Sequence, residues 1–270
     1  MEIIQSTENI IADQLRGHTC VGADAERETR ELVDFLGSDP AALQDAVERR
    51  LKHEPLGYIL GWSPFMGRRF AVTPDVLIPR PATEIIVDQM IETWRDQAVD
   101  ILEVGTGSGA VAISLALALP QAKVTATDIS EPALAIAKQN AADHQATDRV
   151  NFIQADLLKS SQLPAPSSQL IVFANLPYIP STQMAELTPD VRDYEPTDAL
   201  DGGPDGLDLY RRLFDQLNDY SDAVVAIYLE ALPEQLEPLA AEAQSRLGRQ
   251  NSQIIYADSK KTTQIGLLIQ

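Results

Sequence analysis

The stretch DILEVGTGSG, residues 100–109, indicates the fold of this chain of 270 residues. Its first half is typical of a buried strand, and its three glycines are typical of a tight turn into a helix. In parallel α/β sheets such turns lie at the ligand crevice, because glycines let the backbone approach a ligand and the helix N-terminus presents free N–H groups. The stretch predicts a ligand site after the first strand of such a sheet.

Strand and helix patterns alternate around this turn. A helix with Ile85, Ile86, Met90 and Trp94 on its apolar positions precedes it. The alternation predicts a mostly parallel sheet, and two neighbouring strands at the end predict an antiparallel edge. The fold class is therefore α/β with a Rossmann-like sheet. The predicted strands are 100–104, 123–127, 150–153, 169–174, 223–229, 252–257 and 264–269, and the predicted helices are 109–118, 132–142, 207–218 and 233–246.

Three regions differ in pattern along the chain. Residues 1–54 show helical patterns alone, including a helix that Asp39 caps with Pro40 at its first position, and predict a small helical domain. Residues 55–81 combine glycines and prolines with buried aromatic side chains, which predicts a hairpin and connector. Residues 82–270 form the predicted Rossmann-like domain.

Composition narrows the function. The net charge of −19 disfavours direct binding to nucleic acid, whose phosphates it repels. No apolar run is long enough for a membrane span, and no signal peptide is evident at the N-terminus. The single Cys20 fits a reducing compartment, and His18, His53 and His144 are scattered, so we expect a cytoplasmic protein without a metal site. No long exposed apolar patch is evident in the sequence, and we therefore expect a monomer.

The glycine spacing indicates which ligand is bound. The dinucleotide fingerprint is GxGxxG, whereas Gly105-Thr106-Gly107-Ser108-Gly109 is GxGxG with no Lys-Ser/Thr after it. Lys123 is the only basic residue between Ile101 and Asp128, so phosphate binding has little support. Glu103 instead suits a cation. S-adenosylmethionine carries an ammonium and a sulfonium group and no phosphate, and it is the predicted cofactor.

Two further acidic residues follow the next two strands. Asp128 lies about 20 residues beyond the loop, which is the position of a carboxylate that binds ribose hydroxyls. Asp156, with Leu157 beside it, follows the third strand and could reach the adenine edge. Loop and carboxylates at successive strand ends together predict a nucleoside-type cofactor.

The fourth strand ends in Asn175-Leu176-Pro177-Tyr178. An amide nitrogen, or an exocyclic amine of a base, is a poor nucleophile, but two acceptors can hold its N–H bonds and orient it. The Asn175 side-chain oxygen and the Leu176 carbonyl are the candidate acceptors, and Pro177 restrains that carbonyl. Tyr178 can stack on the planar group. This turn is the predicted catalytic element, and Asn175 also borders the cofactor.

Several longer blocks resemble the peptide chain release factor glutamine methyltransferases, which are bacterial S-adenosylmethionine-dependent enzymes. The similarity extends from Glu54 to about Phe214. Its most specific blocks are Glu54-Pro55-Leu56-Gly57-Tyr58-Ile59-Leu60-Gly61, Val76-Leu77-Ile78-Pro79-Arg80-Pro81 and Tyr194-Glu195-Pro196-Thr197-Asp198-Ala199-Leu200-Asp201-Gly202-Gly203-Pro204-Asp205-Gly206-Leu207.

The resemblance implies a class I methyltransferase fold and methylation of the glutamine in the Gly-Gly-Gln motif of class-1 release factors. It implies that Gly105 to Gly109 line the methionine part of the cofactor, that Asp128 holds the ribose and that Asn175 to Tyr178 hold the substrate glutamine. The helical domain would help to recognise the release factor. Arg80 and Glu84 would lie near the opening of the site, although an interdomain salt bridge explains them equally well.

The chain departs from the family pattern in places. Leu176 replaces the first proline of Asn-Pro-Pro-Tyr, and we expect activity to survive in a looser site because that residue contributes its carbonyl. Ala82, Glu230-Ala231-Leu232 and Asp258-Ser259-Lys260-Lys261 also differ from the family. Three alternatives remain open: methylation of a ribosomal-protein glutamine, adenine-N6 methylation of nucleic acid, and a cofactor-binding protein that has lost catalysis.

Overall fold

The computed structural model describes residues 2–16, 24–37, 39–165, 169–256 and 264–270. Cys20, His18 and the departure at 258–261 lie outside these ranges. Within them, no helix has the length and apolar character that crossing a membrane requires.

The described residues between positions 2 and 51 form helices, as predicted. These helices are α1 (Glu2–Leu15), α2 (Ala25–Leu36) and α3 (Pro40–Leu51). The Asp39 side chain accepts a hydrogen bond from the N–H of Ala41 at 3.0 Å, which confirms the predicted cap of α3.

The connector begins with a short helix, α4 (Leu56–Leu60), that the sequence analysis did not predict. Pro55 and Gly57 are ordinary turn residues, yet the N–H groups of Tyr58 and Ile59 both bond to the carbonyl of Pro55. The predicted hairpin follows as β1 (Trp62–Phe65) and β2 (Arg68–Ala71). Apolar side chains of α1 to α4 and Trp62 share one cluster, so the boundary at residue 54 remains a proposal.

A seven-stranded sheet follows α5 (Pro81–Trp94). The sheet has the order β5-β4-β3-β6-β7-β9-β8 and is parallel from β5 to β7, while β9 pairs antiparallel with both β7 and β8. The predicted parallel sheet with an antiparallel edge is confirmed. Its strands are β3 (Asp100–Val104), β4 (Lys123–Asp128), β5 (Val150–Gln154), β6 (Leu170–Ala174), β7 (Val224–Glu230), β8 (Ser252–Tyr256) and β9 (Gln264–Ile269).

Alternate strand residues face two separate cores. Ile101 packs with α5 and α6 on one face, and its neighbour Leu102 packs with α9 and α10 on the other. Because β3, β4, β6 and β7 are parallel, their carboxyl ends meet along one edge, and this edge carries the candidate site. The remaining helices are α6 (Ala110–Ala118), α7 (Glu131–Asp143), α8 (Pro189–Tyr194), α9 (Asp208–Leu217) and α10 (Leu236–Leu247).

Candidate active site

A cavity of about 920 Å³ opens at the carboxyl ends of the parallel strands. This volume is near the upper end of the usual range for ligand pockets, about 300–1,000 Å³. The candidate cofactor residues line it with the exception of Gly109, which packs against Ala137 of α7, and Leu176 and Pro177 of the predicted catalytic turn line it too. Tyr178 instead borders a smaller cavity of about 180 Å³ directly behind that turn.

The glycine loop, residues 105–109, forms one wall. Gly105 and Gly107 have φ angles of 78° and 54°, which residues other than glycine rarely adopt. A Cβ on Gly105 would lie 3.0 Å from the Leu176 side chain, whereas Gly107 faces open space where a ligand can approach the backbone. Asn140 on α7 supports the loop from outside, donating from Nδ2 to the carbonyls of Ser108 and Ala71, while its Oδ1 accepts from the N–H of Ala71.

Glu103 is buried beneath this loop, with 2% of its surface exposed. Its Oε2 accepts hydrogen bonds from the Thr106 hydroxyl at 2.6 Å and from the N–H of Ala112 at 2.9 Å. Burial nevertheless raises the pKa of Glu103 to about 8. Both of these bonds use Oε2, so Oε1 can serve a cationic group in the cavity, and such a group would stabilise the carboxylate.

Asp128 ends β4, and its carboxylate bonds both to the glycine loop and to the residues just before α7. Its Oδ2 accepts from the N–H of Gly107 at 2.8 Å, and its Oδ1 accepts from the N–H of Ser130 at 2.9 Å. Burial raises the pKa of Asp128, and these backbone bonds oppose the increase. Ile129 is 67% exposed in the cavity wall beside it, an apolar residue that the sequence analysis did not select.

Asp156 and Leu157 lie further along the same wall. The Asp156 carboxylate pairs with Arg212 at 2.6 Å, a partner 56 positions away that the sequence did not reveal. Leu157 is buried and has a φ angle of 57°, which is unusual for a residue with a side chain. Such strained residues cluster at functional sites, which agrees with the place of Leu157 in the cavity wall.

Asn175 follows β6 and faces the cavity from a polar pocket. Its Nδ2 lies 3.4 Å from the hydroxyl of Thr83, which donates at 2.5 Å to the carboxylate of Glu230. The Tyr178 hydroxyl donates to the other oxygen of Glu230 at 3.3 Å. No sequence pattern pointed to Thr83, and Glu230 was expected only as a departure from the family pattern. A charged residue ending the apolar strand β7 was the available signal, since a buried carboxylate requires donors.

The chain is similar in sequence to known methyltransferases. Residues 101–194 match a family model described as a methyltransferase domain. A release factor glutamine methyltransferase of Geobacter sulfurreducens is 44% identical over 180 residues, which are 67% of this chain and 61% of the relative. The protein of that name from Rhodopirellula baltica is 34% identical over 219 residues, 78% of this chain and 70% of the relative.

This chain belongs to the release factor glutamine methyltransferase family. It matches 58–61% of the length of the first curated relatives. The N-terminal domain of human METTL16 in complex with SAH superposes with a TM-score of 0.53 at 15% identity, covering 84% of this chain and 82% of that one. The superposition confirms the Rossmann-like class I methyltransferase fold.

Leu176 is where this member of the release factor glutamine methyltransferase family departs from Asn-Pro-Pro-Tyr. Its side chain is buried beside Gly105 of the glycine loop. Unlike proline, leucine has a backbone N–H, and here this group lies 3.3 Å from the hydroxyl of Tyr210. Tyr210 therefore provides the partner that the replacement requires.

A glycine-rich strap, residues 200–206, packs on the back of the Asn-Leu-Pro-Tyr turn. A Cβ on Gly202 would lie 2.5 Å from the carbonyl oxygen of Pro177, and one on Gly206 would overlap that of Tyr178. Gln235 donates from Nε2 to the carbonyls of Tyr178 and Asp205 at 2.7 and 3.0 Å. The strap and Gln235 together fix the backbone of the turn.

The two charged residues expected near the opening have different roles. Arg80 lines the cavity but also bonds to both carboxylate oxygens of Glu195, at 2.6 and 2.7 Å. The Glu195 side chain is 1% exposed and the Arg80 side chain 33%, so the carboxylate is shielded from water and the guanidinium only in part. The Glu84 carboxylate accepts a hydrogen bond from the N–H of Met66 at 2.5 Å, and this bond links α5 to the hairpin.

Proposed function

We propose that this protein transfers a methyl group from S-adenosylmethionine to the side-chain amide of the glutamine in the Gly-Gly-Gln motif of class-1 peptide chain release factors. The observation that carries the proposal is the position of Asn175 and Leu176 at the end of β6, in the same cavity as Glu103, Asp128 and the glycine loop. Relatives that are 44% and 34% identical to this chain are named release factor glutamine methyltransferase, which supports the proposal.

The cavity wall fits the cofactor. Glu103 offers a buried carboxylate to the ammonium group, Gly107 offers open backbone, and Asp128 retains lone pairs for ribose hydroxyls. Ile129 offers an apolar face for the adenine, with Asp156 and Leu157 near its edge. The cofactor supplies a methyl group made reactive by the positive charge on its sulfur.

The catalytic turn would orient the acceptor. Asn175 Oδ1 and the Leu176 carbonyl accept the two N–H bonds of the substrate amide, which turns the nitrogen lone pair toward the methyl group. Pro177 restrains the carbonyl of Leu176, and Tyr178 holds the turn through Glu230. The rate increase then comes mainly from positioning rather than from a strong base.

The other acceptors have no specific support. Asp198, Asp201 and Asp208 line the cavity, and Arg212, which is also in its wall, is paired with Asp156. An acidic wall repels a phosphate backbone, which disfavours adenine in nucleic acid. We also propose that residues 1–54 form a domain that contacts the release factor, and that the enzyme works in the cytoplasm, where release factors act.

Mass spectrometry of an unmethylated class-1 release factor tests the proposal. After incubation with the protein and S-adenosylmethionine, we expect one added methyl group on the Gly-Gly-Gln glutamine. Asn175→Ala should reduce the product by at least about 100-fold, the usual cost of losing one such polar contact. An unmodified glutamine with intact cofactor binding would contradict the proposal.

Calorimetric titration with S-adenosylmethionine tests the cofactor site separately. Asp128→Asn should weaken binding by about 10-fold or more, because a hydrogen bond to a carboxylate is worth roughly 1.5–3 kcal/mol. Glu131→Gln is the matched control, since Glu131 is an exposed acid three positions away. Equal affinity of the wild type and Asp128→Asn would remove Asp128 from the site.

A further inference from the structure

The residues behind Asn175 form a directional hydrogen-bond chain. Thr83 lies on α5, Glu230 ends β7, and Asn175 follows β6, so three separate elements meet at this point. Glu230 is 4% exposed and Thr83 is 3% exposed. Of the three, Thr83 and Asn175 line the large cavity, whereas Glu230 lies behind them.

The direction of the chain follows from its chemistry. Burial raises the pKa of Glu230, and the hydrogen bonds from Thr83 and Tyr178 oppose that increase and favour the carboxylate. A carboxylate only accepts hydrogen bonds, and a threonine hydroxyl has one proton. The separation of 2.5 Å between Thr83 Oγ1 and Glu230 Oε2 is typical of a hydroxyl that donates to a carboxylate. The proton of Thr83 is therefore committed to Glu230, and its lone pairs face Asn175.

This commitment decides which way the Asn175 amide points. Nδ2 donates to Thr83 Oγ1 at 3.4 Å, and the carboxylate that takes the Thr83 proton lies behind it. If the amide were flipped, Oδ1 would face the Thr83 oxygen, which has no free proton to donate. Two buried oxygen acceptors would then repel each other. Only one orientation is satisfied, and in it Oδ1 is turned away from Glu230.

We infer that Thr83 and Glu230 are positioning residues that fix the Asn175 amide with its oxygen toward the substrate. The inference rests on the proposed function, because it explains how Asn175 is kept an acceptor rather than a donor. A flipped amide would present N–H groups to the N–H groups of the glutamine and would prevent the productive alignment. The Glu230 carboxylate also accepts a hydrogen bond from the Tyr178 hydroxyl. It therefore holds Tyr178 directly and Asn175 through Thr83.

Thr83→Val is the decisive variant, because valine keeps the shape and removes the acceptor. We expect the kcat for methylation to fall about 10-fold or more, while the KM for release factor and the Kd for S-adenosylmethionine change less than about threefold. Thr83→Ser, which keeps the hydroxyl, should recover activity to within about threefold. Thr93→Val is the matched control: Thr93 lies on the same helix, is exposed, and its hydroxyl donates to the carbonyl of Gln89 on that helix. Glu230→Gln should lower kcat in the same selective way.

A second measurement needs no substrate. In protein labelled with ¹⁵N at asparagine, the side-chain amide signal of Asn175 is assigned by its loss in Asn175→Ala. We expect Thr83→Val to shift this signal and to accelerate its exchange with solvent, and Thr83→Ser to preserve it. An unchanged signal, or a wild-type kcat in Thr83→Val, would overturn the inference. Failure of the wild type to methylate release factor would instead overturn the proposed function, and the amide signal would still decide the orientation of Asn175.

Discussion

The N–H of Leu176 meets the hydroxyl of Tyr210 at 3.3 Å, and the same hydroxyl donates to the backbone carbonyl of Glu230. One fully buried tyrosine thus joins the turn after β6 to the end of β7. The arrangement explains how leucine is accommodated where the family pattern has proline, because the additional N–H is paired.

Tyr210→Phe should destabilise the protein, because it leaves the N–H of Leu176 without a hydrogen-bond partner. A buried N–H without a partner costs roughly 1–3 kcal/mol, so the free energy of unfolding in urea should fall by about this amount. In a Leu176→Pro background the same change should cost less, since proline has no N–H to leave unpaired. Equal losses in both backgrounds would show that Tyr210 acts on Glu230 alone.

Cofactor affinity should depend on pH through Glu103. Burial raises the pKa of this carboxyl to about 8, and a bound cation favours the carboxylate and lowers that pKa. Binding therefore releases a proton below pH 8, and affinity for S-adenosylmethionine should increase from pH 6.5 toward pH 8.

The matched variant is Glu103→Gln, which cannot titrate at this position. It should bind the cofactor more weakly and keep only the pH dependence of the ligand's own amino group. Calorimetry in buffers of different ionisation enthalpy measures the proton release directly. The same proton release from the variant as from the wild type would assign it to another group.

Gly206→Ala should disturb the catalytic turn from behind. The φ angle of Gly206 is 79°, and a Cβ there would overlap the carbonyl oxygen of Tyr178. We expect kcat to fall at least about 10-fold because displacement of the turn moves the acceptors. Gly248→Ala is the control, with a φ angle of 67° and nothing within 4 Å of the added Cβ. It should cost only about 1–2 kcal/mol of stability and no activity.

Arg80 was expected either near the opening of the site or in a salt bridge, and the thermal stability of variants distinguishes these two roles. Arg80→Ala leaves the buried carboxylate of Glu195 without its cation, which typically costs about 3–5 kcal/mol. We expect a clear fall in Tm that Glu195→Gln, added to Arg80→Ala, partly reverses. A variant with normal Tm and reduced methylation would instead assign Arg80 to substrate contact.

The local patterns of the sequence were sufficient for most of the fold. Strands 100–104 and 264–269 were predicted with their observed bounds, because apolar runs between turn residues are local signals. The short helix Leu56–Leu60 was missed, since Pro55 and Gly57 are also turn residues and the pattern of five residues cannot distinguish the two.

The supporting residues of the site were harder to predict than its glycine loop. Glu103, Asp128 and Asn175 each end or follow a strand, and parallel strands bring such positions together. Thr83 contacts Glu230 across 147 positions and Asn175 across 92, and no spacing rule relates residues that far apart. Their proximity is set by how α5 packs beside β7, which becomes visible only in three dimensions.

The hydrogen bonds of Asn140 couple the local opening of the hairpin to that of the glycine loop. A single side-chain amide is bonded to Ala71 in the hairpin and to Ser108 in the glycine loop. Local opening of either segment therefore breaks bonds that hold the other, and the two should open as one unit in hydrogen exchange. The amide proton of Ala71, on a strand remote in sequence from the glycine loop, becomes an internal reporter of whether that loop is closed.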